Sequence, residues 1–173
     1  MLNGVRGYEN HTEYMERSLA VVDRMEKLVK ELLYVSKAEG TQKSKYKIVD
    51  FAEVFRLQIA AVSDLLEEKK QHIEVNIPDR LYCEVEQVQM ERAIQNILVN
   101  AIRYSPSNEL IRVTLAEIHG TIRGEIENTG VHVSGDAIPH LFEAFYRADA
   151  SRNRNTGGTG LGLYIVRKIM EMH

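Results

Sequence analysis

Thr156-Gly157-Gly158-Thr159-Gly160-Leu161-Gly162-Leu163 runs directly into the apolar-patterned segment Tyr164 to Met170. Glycines at 157, 158, 160 and 162 let backbone N–H groups approach a ligand closely. The run ends where a helix begins. Exposed amides and the positive dipole end there favour an anion, and a phosphate chain is the common occupant. No Lys-Ser/Thr follows the glycines, so this is not a Walker P-loop. No strand directly precedes the run and no spaced acidic residue follows it, which excludes the dinucleotide-binding fingerprint. Taken alone, the run also reads as a flexible loop closing on a helix, so its neighbours decide.

Working outward from it, the stretch between Asn128 and Gly157 is too long for a plain connector and has the character of a lid, with a short helix expected at Asp136 to Phe142. Phe142, Phe145 and Tyr146 are expected to pin it to the domain. Glu109 to Ile118 and Thr121 to Glu127 form a hairpin around His119-Gly120. Before it, a helix covers Gln87 to Tyr104 and stops at Ser105-Pro106. Strands are expected at Tyr46 to Val49, His72 to Ile77 and Leu81 to Val85. Asp50 is a good N-cap for a helix running to about Lys70. This order predicts an α+β fold, a two-layer sandwich with helices on one face of the sheet.

Residues 12–38 read as one long helix, because Met15, Leu19, Val22, Met25, Leu28, Leu32 and Val35 recur at steps of three and four. At 1.5 Å per residue it spans roughly 40 Å. That is long for a small domain, and its apolar stripe calls for another helix in a bundle or coiled coil. Packing on its own domain is the alternative. Gly40 to Lys45 is a polar break, placing a boundary between residues 1–40 and 41–173.

Four blocks stand in order: Gln95 to Pro106, carrying Asn96 and Asn100; Ile126-Glu127-Asn128-Thr129-Gly130; Leu141 to Arg147; and the glycine run. The set resembles the ATP-binding catalytic domain of bacterial sensor histidine kinases, the group that includes vancomycin-resistance and phosphate-regulation sensors. The blocks correspond to its N, first glycine, F and second glycine boxes. The resemblance covers residues 12–173 and implies the histidine-kinase ATP-binding (Bergerat) sandwich, preceded by one helix of a dimerisation hairpin. It implies ATP as ligand, with Asn96, Asn100, Arg103, Tyr104, Asn128, Gly130, Arg147, Thr156, Gly157, Gly158, Thr159, Gly160, Leu161 and Gly162 around it. It places the Mg²⁺ contact on Asn100.

The residue types fit that chemistry. Asn96 and Asn100, four apart, share a helix face, and amide oxygens there can hold a hard cation arriving with phosphates. The alternative is that both satisfy neighbouring backbone. Arg103 can meet phosphate oxygens, and Tyr104 can cover the base or a lid. Arg147, Arg152 and Arg154 can reach terminal phosphates, although the last two also read as a solvated charged loop. In related ATPases such as gyrase a glutamate activates water at the position of Asn96. No carboxylate stands there in this chain, which points to transfer to a protein acceptor rather than hydrolysis.

The chain departs from the family pattern at three places. Asn128 stands where many members carry an aspartate that reads the adenine amino group; an amide oxygen still accepts that bond, without charge. His132 replaces a usual glycine, and no second ligand at fitting spacing gives it a metal role. No phosphoacceptor His box occurs, and His11 is most simply a polar residue before the helix. The first helix of the hairpin, with its histidine, is therefore expected upstream, and a further strand pair beyond residue 173. The chain reads as part of a longer sensor of the bacterial plasma membrane, with this domain in the cytoplasm. The implied partners are a phosphoacceptor histidine helix, a response-regulator protein and a second copy in a homodimer. A nucleotide-binding or dimerisation module without phosphotransfer is the competing reading, and a purely helix-mediated interaction domain the third.

Bulk properties agree. In 173 residues, 44% are hydrophobic and 27% charged, as in globular domains. A net charge of -3 gives no electrostatic case for nucleic acid or an anionic membrane. Cys83 is the single cysteine and has no partner for an internal disulfide, which suits a buried thiol in a reducing compartment.

Overall fold

A computed structural model describes residues 8–38, 46–148 and 158–173. The chain divides into two units, Met1–Gly40 and Thr41–His173. The first carries helix α1 (Tyr8–Ala38), which begins a turn earlier than the pattern predicts and so includes His11. Met15, Leu19, Val22, Met25, Val29 and Leu32 are all exposed along it. Polar residues between them support the helix locally, as in the Glu26–Lys30 pair at 2.6 Å, one turn apart. No helix among the described residues is long and apolar enough to cross a membrane.

The second unit builds its core from two periodicities. In strand β4 (Leu110–Ile118) the buried residues Ile111, Val113 and Leu115 alternate with outward ones. In helix α4 (Gln87–Tyr104) Met90, Ala93, Ile94, Leu98, Ala101 and Ile102 form one buried stripe at steps of three and four. Helix α5 (Gly162–Met172) contributes Ile165, Val166 and Ile169, and α4 packs against it.

The strands form two ladders rather than one continuous sheet. Strands β1 (Lys47–Asp50) and β3 (Tyr82–Val85) pair antiparallel. Strand β2 (His72–Asn76) pairs parallel with β4, which pairs antiparallel with β5 (Thr121–Asn128). The β4–β5 hairpin turns at His119 and Gly120 as expected, with φ of 52° and 77°. Positive φ at both central residues matches the twist of the strands on either side.

Two local expectations need correction. Asp50 stands at the N-cap of α2 (Phe51–Ala60) without capping it. Its carboxylate instead accepts from Leu81 N–H at 3.1 Å, tying β1 to the approach of β3. The expected single helix to Lys70 breaks at residues 61–62 into α2 and α3 (Ser63–Glu68). The break tightens to a Val62 N–H to Ile59 carbonyl bond and turns Val62, 1% exposed, into the core with Leu66.

Gly124 in β5 shows how closely α2 approaches the sheet. A Cβ there would lie 2.8 Å from Cζ of Phe55, itself buried. Gly124→Ala is therefore expected to cost about 1–3 kcal/mol by overpacking, read as a lower urea midpoint. Pairing it with Phe55→Leu should recover part of the loss.

Candidate nucleotide-binding site

Helix α4 carries Asn96, Asn100 and Arg103 along one edge of its buried stripe. Both asparagines are half-buried, while Arg103 and Tyr104 in the last turn are exposed. Glu86 caps the start of the helix by accepting from Gln89 N–H at 2.7 Å. At the other end, Lys69 Nζ donates to the carbonyls of Ile102, Arg103 and Ser105 at 2.8, 2.7 and 2.9 Å. Gln71 Nε2 lies 3.1, 3.0 and 2.9 Å from the carbonyls of Ile102, Ser105 and Pro106. Burial pulls the Lys69 ammonium below its ordinary pKa, opposed by nearby Glu68 and reinforced by Arg103.

The glycine run meets this edge. Leu161, 1% exposed, anchors the run in the core, so its contribution to any ligand is its backbone. Thr159 Oγ1 accepts from Leu161 N–H at 3.3 Å. Among the described residues the first turn of α5 has no capping side-chain hydrogen bond at Leu161 and no acidic residue, so its positive end favours an anion. A Cβ at Gly162 would stand 3.5 Å from the Asn96 amide oxygen, and one at Gly158 would stand 4.0 Å from the Tyr104 hydroxyl oxygen. The polar edge of α4 and the start of α5 thus face each other across glycine backbone.

Asn128, Thr129 and Gly130 continue from the end of β5. Ser105 Oγ donates to the Thr129 carbonyl at 2.6 Å, joining this segment to the end of α4. Thr129 also bonds Leu110 through its backbone N–H and Glu109 through its hydroxyl. Gly130 has φ of 77°, and a Cβ on it would meet the Glu109 carboxylate at 2.5 Å. Asn128 Nδ2 is buried with no hydrogen-bond partner among the described residues. Leaving such a donor unsatisfied costs about 1–3 kcal/mol.

The stretch toward the glycine run is held differently from the sequence-based expectation. The predicted helix at Asp136 to Phe142 is a three-residue 3-10 turn, Ile138–His140, which contains Pro139. A proline supplies no backbone N–H to extend the turn. Phe142 and Phe145 are 42% and 58% exposed, so their rings do not pin the segment. Ala137 is buried instead, and Tyr146 packs its ring 5.4 Å from that of His140. The firm tie is backbone: Phe145 N–H donates to the Gly160 carbonyl at 3.0 Å, with both residues at positive φ. Arg147 is half-buried beside this tie, with its Nε shielded from solvent. His132 is exposed, and no group of three His, Cys, Asp or Glu gathers as metal ligands among the described residues. Thr156, Gly157, Arg152 and Arg154 lie outside the described residues.

A profile of the histidine kinase-, DNA gyrase B- and HSP90-like ATPases matches residues 85–173. The chain belongs to this family. The matched segment starts at the end of β3 and takes in α4, the hairpin, the Asn128–Gly130 segment and the glycine run of this ATP-binding domain. CusS of Escherichia coli (strain K12), a sensor histidine kinase, is 28% identical over 176 residues, 99% of this chain and 36% of CusS. The probable sensor kinase SilS of Salmonella typhimurium is 35% identical over 160 residues, 90% of this chain and 32% of SilS. Among solved structures, the mycobacterial sensor histidine kinase MprB matches with a TM-score of 0.63 at 25% identity, over 74% of this chain and 80% of that one. The sequence-based recognition of a sensor histidine kinase catalytic domain therefore holds, and with it the α+β fold. The chain spans about a third of the length of the curated relatives it matches. Lys69 and Gln71 escape a reading of the sequence, because a Lys-Lys-Gln helix end looks like any solvated one.

Proposed function

We propose that this chain is the ATP-binding catalytic part of a sensor histidine kinase, transferring the γ-phosphoryl group of ATP to a histidine outside this chain. The observation that carries the reading is the approach of α4's asparagine edge to the uncapped start of α5, with Asn96 against Gly162. Backbone amides and the helix dipole at α5 would hold phosphate oxygens, and Arg147 would add charge at the terminal phosphate. Asn100 would hold Mg²⁺, which suits an amide oxygen one helical turn from Asn96. When bound, Mg²⁺ neutralises phosphate charge. Asn128, whose buried Nδ2 has no partner among the described residues, would read the base.

Asn96 cannot take a proton from water as a carboxylate would, so it orients groups and leaves hydrolysis unassisted. In the proposed transfer an imidazole nitrogen of the acceptor attacks the γ-phosphorus. The bond to the β–γ bridging oxygen breaks, ADP leaves, and the imidazole proton passes to solvent. We place an aspartate of a response regulator downstream, and assign the exposed stripe of α1 to a homodimer in a sensor of the bacterial plasma membrane.

Mixing this chain with a separate chain bearing the phosphoacceptor helix and γ-labelled ATP should give labelled histidine. Bound nucleotide with no transfer would instead favour a nucleotide-binding module, the reading that the uncharged Asn128 supports.

A further inference from the structure

We infer that Lys69 and Gln71 are positioning residues of the nucleotide site, clamping the end of α4 so that Asn100, Arg103 and Tyr104 stand in fixed register with Asn128 and Gly130. The inference rests on the proposed ATP site and adds residues outside its four blocks.

The two side chains are aimed by the way α3 ends. Lys70 takes a left-handed φ of 53°, its N–H bonds the Glu67 carbonyl, and Gln71 N–H bonds the Leu66 carbonyl. This paired closure usually uses glycine at the left-handed position. It sets Lys69 and Gln71 on either side of the turn, both directed at the last carbonyls of α4. Those carbonyls form the negative end of the helix, where a cation is favoured. Lys69 has three of them within 2.9 Å, so its three N–H donors match three acceptors. Gln71, 8% exposed, doubles the hold on Ile102 and Ser105.

From there the connection runs into the next block. Ser105, 1% exposed, is gripped by its carbonyl and passes the constraint through its hydroxyl to Thr129, between Asn128 and Gly130. A small displacement of a ligand-holding group costs affinity steeply, so support of this kind matters beyond its own stability.

The test is calorimetric titration of Mg-ATP into the unsubstituted chain and into K69M, K69R and S105A, each at a temperature where circular dichroism shows it folded. G124A, destabilised away from the site, serves as the comparison. K69M is expected to raise the Kd about tenfold, and S105A, which removes one bond without changing volume, about threefold. K69R keeps a cation at the helix end and should stay within about threefold of the unsubstituted chain. G124A should bind normally. Normal binding by folded K69M and S105A overturns the inference and leaves the ATP site standing. An equal loss in G124A overturns it too, as a general stability effect. If K69M does not fold, S105A against G124A decides by the same criteria. No binding by the unsubstituted chain overturns both the inference and the proposed function.

Discussion

Asn100→Ala is expected to raise the Kd for Mg-ATP by about ten- to a hundredfold while leaving the fold intact. The residue is half-buried on α4, one turn beyond Asn96 and one turn before the clamped helix end. An asparagine in mid-helix often exists to satisfy nearby backbone. Among the described residues, however, neither the Asn96 nor the Asn100 amide takes part in a hydrogen bond, so backbone capping does not explain them. Alanine is the better helix former by several tenths of a kcal/mol, so the substitution should hold or slightly raise the melting temperature. Lost binding with unchanged stability therefore separates a ligand role from a structural one. Titration of both proteins with Mg-ATP, beside thermal melts, gives the answer. Equal affinities would remove Asn100 from the site.

Gly160→Ala should be the most destabilising single-methyl change among the described glycines of the run, Gly158, Gly160 and Gly162. At φ of 77° an alanine already costs about 1–2 kcal/mol. Its Cβ would also stand 2.8 Å from the carbonyl carbon of Phe145, 2.9 Å from its Cα and 3.0 Å from its oxygen. Those are backbone atoms, and they belong to a residue itself held at φ of 66° by the bond to the Gly160 carbonyl. Relief requires breaking that bond, for a total of about 2–4 kcal/mol. A thermal melt should drop by about 5–15 °C. Gly158→Ala is the matched control, since its Cβ meets only the Tyr104 hydroxyl oxygen at 4.0 Å. Equal melting temperatures for the two variants would show that the Phe145–Gly160 tie carries no stability.

Much of this was readable in advance, because the signals were local. The stripe from Met90 to Ile102 sets α4 by itself, and His119-Gly120 sets the hairpin because both positions accept a left-handed backbone. Asn96 and Asn100 stand one turn apart on α4, where helical spacing puts them, and Gly162 opens α5. What escaped was set by distant partners. The break at residues 61–62 follows from the burial of Val62, and the carboxylate of Asp50 serves Leu81 rather than its own helix. Phe145 reads as a core aromatic, yet it holds on through its amide and leaves its ring exposed. The Lys69–Gln71 clamp joins residues more than thirty positions apart through side chain to carbonyl bonds, for which no short pattern exists.

The bond between Phe145 and Gly160 also decides how much order is present before any ligand arrives. Its acceptor lies two residues before α5 begins, so the backbone from Gly160 to the helix is held on one side by the Phe145 amide and on the other by the buried Leu161 side chain. Fixing a backbone residue costs about 1–2 kcal/mol. For amides already held in this way that cost falls on folding rather than on binding, so the start of α5 is preorganised for an anion.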